Sequence, residues 1–209
     1  MEEVIIGNQI WMKKNLNVDV FYNGDLITEA KTLEEWGLAS KEEKPAWCNY
    51  GNDPNNGEKY GKLYNWYAVN DPRGLAPLDW HIPSLLEWDE LSTFLGGNDI
   101  SGLKLKNSDG WSYRQYAGNG SNETGFSALP GGYLSKLSDW EFENIGRYGC
   151  WWSSTEKKDA TNWLGFSIQP VAYTFGLDTI KFWGVDNRLK KSYHYLDSGY
   201  SVRCVKSVN

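Results

Sequence analysis

The chain has 209 residues, of which 40% are hydrophobic, 15% aromatic and 23% charged, with a net charge of −6. That length gives one domain, or at most two small ones, and the composition excludes disorder, collagen and coiled coil. No apolar run approaches the ~20 residues that a spanning helix requires, so membrane insertion is not expected.

In chain order, residues 4–12 read as a strand and 33–38 as a short helical turn. A helix follows at 62–69, where Leu63, Trp66 and Tyr67 make one apolar stripe and Asp71-Pro72 ends it. Residues 84–95 form another. Ser84 and Glu87 have the spacing of a capping box, Leu85, Trp88, Leu91 and Leu95 recur at helical intervals, and Gly96-Gly97 stops the run. The span 96–122 is rich in turn residues and reads as mostly irregular surface. Strands are expected at 125–129, 148–153, 163–168, 179–183 and 200–205, supplied by Val, Ile, Trp, Tyr and Phe. Strand-forming ends around a helical first half predict an α+β fold with two main helices, closed by pairing of the first and last strands.

Several fragments carry a resemblance in combination. They are I-G-N-Q-I-W-M-K-K-N-L (6–16), A-W-C-N-Y-G-N-D-P-N-N-G-E-K-Y-G-K-L-Y-N-W-Y-A-V-N-D-P-R-G-L-A-P (46–77), W-H-I-P-S (80–84), E-W-D-E-L (87–91), G-F-S-A-L-P-G-G-Y (125–133), W-W-S-S-T-E (151–156) and S-V-R-C-V-K (201–206). The set resembles the Fibrobacter succinogenes major paralogous domain family from about residue 4 to 206. The resemblance implies one C-type-lectin-like domain over 1–209, with short antiparallel strands in twisted sheets, distantly related to formylglycine-generating enzymes. It also implies a secreted or cell-surface protein; no secretory n-region and h-region precede Val4, so any leader is expected to be absent from this chain. Cys150 stands where the family pattern has Phe or Tyr, and the stretch between Glu156 and Ser201 is longer than usual.

Catalytic motifs are missing: there is no G-x-S-x-G, no H-E-x-x-H and no Walker A loop. An enzyme is not expected, and no cofactor or metal is assigned. Cys48, Cys150 and Cys204 have no CxxC spacing; one bridge with a leftover thiol and three buried free thiols are both open. His81, between Trp80 and Ile82, reads as a packed structural imidazole. Asp139, Glu141 and Glu143 alternate with aromatics, as on the wet face of a strand. Asn52 to Gly57 reads as a turn rather than a calcium loop, having too few carboxylates. Residues 180–209 carry six basic and two acidic side chains, but the overall acidity argues against a nucleic-acid partner.

The stretch 163–195 is where a ligand is expected. Trp163, Tyr173, Phe175, Trp183, Tyr193 and Tyr195 interleave there with Asn187, Arg188 and His194, while Phe166 and Phe182 are assigned to the core. Rigid aromatics beside adaptable polar groups give large contact area at small entropic cost. The expected function is a non-enzymatic module that recognises a glycan or protein partner through these aromatic loops; the alternative is a structural, adhesin or fibre-tip domain.

Overall fold

The computed structural model describes residues 2–113, 116–136, 140–158, 160–161, 169–181 and 184–208. The strand expected at 4–12 is a hairpin of Glu3–Ile6 and Gln9–Met12, because Gly7 adopts φ 62° and turns the chain between them. Gln9–Met12 also pairs antiparallel with Val205–Ser207, Trp11 opposite Val205, so the two ends of the chain are joined as expected. Among the described residues the architecture is mixed α+β, with five α-helices and several small sheets. Among the described residues, pairing between strands is antiparallel except between Thr28–Glu29 and Ala46–Cys48, and three isolated bridges are also parallel.

The helices show where local chemistry decides and where packing does. Leu85–Phe94 starts on the capping box, with Ser84 and Glu87 bonding reciprocally. Leu33–Lys41 is longer than expected and is capped by Thr32. The helix expected at 62–69 is shorter: Leu63–Tyr64 is a strand, and the Asn65 side chain accepts from Ala68 N–H, starting a single turn at Trp66–Val69. Two helices went unread. Pro54–Tyr60 begins on Asp53, whose Oδ1 accepts from Asn55 N–H at 3.0 Å, so this carboxylate is a cap. Asn98–Leu105 corrects the expectation of irregular surface. Its N-D-I-S-G-L-K-L sequence has modest helix propensity, but Gly102 lets the carbonyls of Asn187 and Arg188 approach to 2.7 Å of where a Cβ would stand. The expected two main helices are therefore five.

Strands 125–129 and 200–205 are also corrected. The first contributes only an isolated parallel bridge from Ala128 to Lys106, and the second holds bridges at Tyr200 and Ser201 before Val205–Ser207 begins. The expected strand at 163–168 lies outside the described residues, as do Phe182 and Trp183. Asp139 does too, while Glu141–Glu143 is a short strand paired with Tyr133–Ser135. All three cysteines are free and buried, which removes the one-bridge alternative.

The centre is an antiparallel sheet of Tyr148–Lys157, Val171–Asp178 and Lys190–Tyr195. Both of its faces are covered. Trp151, Phe175 and Leu177 lie in a core with Trp88 of the Leu85–Phe94 helix, and Cys150, Trp152 and Ala172 lie in another with Tyr64 and Tyr200. Burial on both faces explains why Val171–Asp178 shows no polar alternation.

Candidate functional site

Where helix Leu85–Phe94 no longer covers the central sheet, the ends of its three strands converge. Register places Lys157 opposite Val171 and Val171 opposite Tyr195, with Tyr173 opposite Tyr193. Between Trp152 and Glu156 the first strand carries two more residues than its partner, a bulge whose Thr155 hydroxyl accepts from Leu85 N–H at 2.9 Å. The bulge thus ties the sheet to the helix start and re-aims the strand end beyond it.

Tyr193 is 40% exposed and Tyr173 half-buried. The Lys157 ammonium stands 5.5 Å from the Tyr193 ring centroid and 5.8 Å from that of Tyr173. Such a cation over exposed rings contributes roughly 0.5–1 kcal/mol. Two residues on, Tyr195 forms one wall of a cleft of about 370 Å³, whose other walls include Tyr67, Lys136, Glu156, Gln169 and Asp197. Asp197 is 5% exposed. Its Oδ2 accepts from the Lys136 ammonium and from Ser40 Oγ at 2.7 Å, and its main-chain carbonyl accepts from Trp36 Nε1 at 2.8 Å. Helix Leu33–Lys41 is thereby fastened beneath the cleft. Lys136 also donates to Gln169 Oε1 at 3.0 Å, and Asp197 Oδ1 has no partner among the described residues. Burial pushes the Tyr67 hydroxyl up to about 12, so it stays a neutral donor.

Of the residues expected to meet a ligand, Tyr173, Tyr193 and Tyr195 are brought together here. Trp163 and Trp183 lie outside the described residues. Phe175 is corrected to the core: it is 0% exposed and stacks on Trp88 with centroids 5.1 Å apart. Asn187 and Arg188 sit beyond the opposite end of Lys190–Tyr195, a strand roughly 17 Å long. Asn187 accepts from Leu103 N–H through its carbonyl, and Arg188 forks onto the buried Asp186 at 2.9 Å through both Nε and Nη2. They fasten the Asn98–Leu105 helix and the loop before the strand. Lys190 reaches Asp186 and Asp178, Lys191 reaches Asp89, and Lys206 reaches Glu3. The basic end of the chain is thus largely committed to internal pairs, some local, as Arg188 and Lys190 with Asp186, and some remote, as Lys191 with Asp89 and Lys206 with Glu3.

His194 points to the other sheet face, its ring 4.9 Å from that of Tyr200, and burial pushes its pKa down to about 4. It is neutral near pH 7 and is corrected to a packing residue. Because the folded pKa lies below that of the unfolded chain, the unfolded state binds more protons between pH 6.5 and 4, and stability falls as pH falls through that window. The stability difference between the wild type and His194→Gln should shrink by at most about 3 kcal/mol from pH 7 to 4. Urea titrations at both pH values measure it; a pH-independent difference would show that the imidazole is not desolvated.

His81 is corrected in the other direction. Its ring is exposed and paired with Glu87 on a broad cleft of about 610 Å³ near Leu78 and Trp80. The three thiols are held protonated by burial, Cys150 and Cys204 at about 12 and Cys48 higher still. Lys136, Lys157, Tyr67, Gln169 and Asp197 were missed as site residues. Tyr67 was read only as part of an apolar helical stripe, and Asp197 lies two positions after Tyr195.

The family model described as Fibrobacter succinogenes major domain matches residues 4–206. No curated protein and no solved structure matches the chain.

Proposed function

The chain belongs to the Fibrobacter succinogenes major domain family. On that premise we propose that it is a non-enzymatic, extracellular or surface-held module that binds a glycan at the tyrosine-walled edge of its central sheet. The observation that carries this reading is the cleft at Tyr195, where aromatic walls enclose a carboxylate, an ammonium, an amide and a neutral phenol. Sugar rings present apolar C–H faces that stack on aromatics and hydroxyls that exchange hydrogen bonds with such groups. Buried, protonated thiols and a neutral, buried His194 favour binding over catalysis. The paired termini and short antiparallel strands favour a C-type-lectin-like arrangement. A protein partner is the second reading, favoured by the open Lys157–Tyr173–Tyr193 surface outside the cleft.

A glycan array and a protein pulldown with the same purified chain separate the two. Tyr195→Ala should weaken glycan binding at least tenfold with the melting temperature unchanged, since one anchoring aromatic contributes about 2 kcal/mol. Wild-type affinity in this variant would remove the cleft as the site. Loss in Tyr193→Ala alone, on a protein ligand, would select the second reading.

A further inference from the structure

We propose that a partly enclosed pocket on the side of the molecule formed by residues 13–17, the end of helix Pro54–Tyr60 and Arg203 binds an oxyanion: a carboxylate, sulfate or phosphate group.

Arg203 is 1% exposed, yet every acceptor it reaches is neutral. Nε and Nη2 donate to Asn15 Oδ1 at 2.9 and 2.6 Å, while Nη1 donates to the carbonyls of Phe126, Lys13 and Met12 at 2.6, 3.0 and 3.1 Å. No carboxylate pairs with it among the described residues. A guanidinium carries five N–H groups in a fixed fork. Nη2 has two hydrogens and one acceptor, so one N–H is left over, on the side of the fork away from Asn15. Asn15 cannot swing to follow it: its Oδ1 also accepts from Trp151 Nε1 at 2.8 Å, and its Nδ2 donates to the Tyr60 carbonyl at 2.7 Å.

Arg203 lines a pocket of about 250 Å³ together with Lys13, Lys14, Lys59, Asn17 and Ser127. Four cations and one carboxylate, Glu58, border it, giving a local charge of +3 in a chain whose net charge is −6. Glu2 offsets Lys13 and Lys14 in part, at 3.4 and 3.7 Å, through a carboxylate open to solvent and therefore screened. Tying carbonyls together accounts for four of the guanidinium N–H groups. The charge itself faces the rings of Phe126 and Trp151, at 4.4 and 5.9 Å from their centroids, and no carboxylate among the described residues; burial holds Arg203 down to about 9. An oxyanion in the pocket would take the fifth N–H in a single charge-assisted hydrogen bond and offset the charge. The juxtaposition is also specific. The stretches 6–16, 46–77, 125–133 and 201–206, which carry the family resemblance and are far apart in sequence, all supply walls of this one pocket.

The test is thermal unfolding of the full chain in sodium sulfate, phosphate, acetate or glucuronate against sodium chloride at equal ionic strength. At least one oxyanion should raise the melting temperature by several degrees with saturation in the millimolar range. Acetate and glucuronate identify a carboxylate ligand, and sulfate and phosphate identify a tetrahedral one. Lys14→Ala with Lys59→Ala, both exposed and outside the core, should weaken the response at least tenfold, whereas Tyr195→Ala should leave it intact. A chloride response of equal size, no response to any of the four salts, or an undiminished response in the double variant would overturn the proposal.

Discussion

Phe175→Ala should lower the unfolding free energy by about 3–5 kcal/mol, the range for truncating a fully buried phenylalanine. The ring is sealed at 0% exposure, lies nearly parallel to Trp88 with an interplanar angle of 14°, and shares a core with Trp11, Phe126 and Trp151. Its removal takes away the ring on which Trp88 stacks, so helix Leu85–Phe94 loses one of its contacts with the central sheet in addition to the transfer free energy of the ring. For a chain of this size the melting temperature should fall by roughly 6–20 °C. Tyr193→Ala, on the same face of the neighbouring strand but 40% exposed, should change stability by less than about 1 kcal/mol. Urea midpoints at constant slope measure both. Equal effects would mean that the boundary between core and exposed platform is drawn in the wrong place along this strand.

That boundary is where sequence reading runs out. Val171–Asp178 is V-A-Y-T-F-G-L-D, a run with no alternation, and its aromatics look alike to composition. Only the register shows that Phe175 is opposite Trp151 and beneath a helix, while Tyr173 is opposite Tyr193 and beyond it. The capping box at Ser84 was legible because all its atoms lie within four residues. Pairing of the two chain ends was legible because both ends are strand-like. By contrast, helix Asn98–Leu105 depends on Gly102 fitting against carbonyls some 85 residues away, and no local signal carries that. The site shows the same division. Tyr193 and Tyr195 were visible as aromatics in a polar setting, whereas Lys136, Tyr67 and Asp197 belong to three separate segments and become neighbours only on folding.

Lys106→Met should destabilise the fold by about 2–5 kcal/mol at pH 7, and the loss should deepen at alkaline pH. Lys106 is 0% exposed and its ammonium donates to three carbonyls, Gly118 and Asp186 at 2.7 Å and Asp178 at 3.2 Å, using all three of its hydrogens. It joins the 118–120 turn to the end of the central sheet and to the loop before Lys190. Each hydrogen bond to a charged group contributes about 1.5–3 kcal/mol. Against this stands the burial of the charge, which holds the amine down to about 8 and corresponds to roughly 3 kcal/mol of unfavourable desolvation at neutral pH. Burial thus outweighs these bonds in the choice between ammonium and amine, and the loss in Lys106→Met comes from leaving three carbonyls without their donor. Methionine keeps the stem volume and removes the donors. Because the folded pKa lies below the unfolded one, the unfolded wild type holds more protons between pH 8 and 10.4, so its stability rises with pH through that window and the difference from Lys106→Met widens by up to about 3 kcal/mol. The buried phenols of Tyr64, Tyr148 and Tyr200, all pushed up by burial, titrate alike in both proteins and cancel in the difference. Denaturant titrations of the pair at pH 7 and pH 10 supply the number. A variant as stable as the wild type, or a difference that stays flat with pH, would mean that the three carbonyls find other donors and that the ammonium is not what holds these segments together.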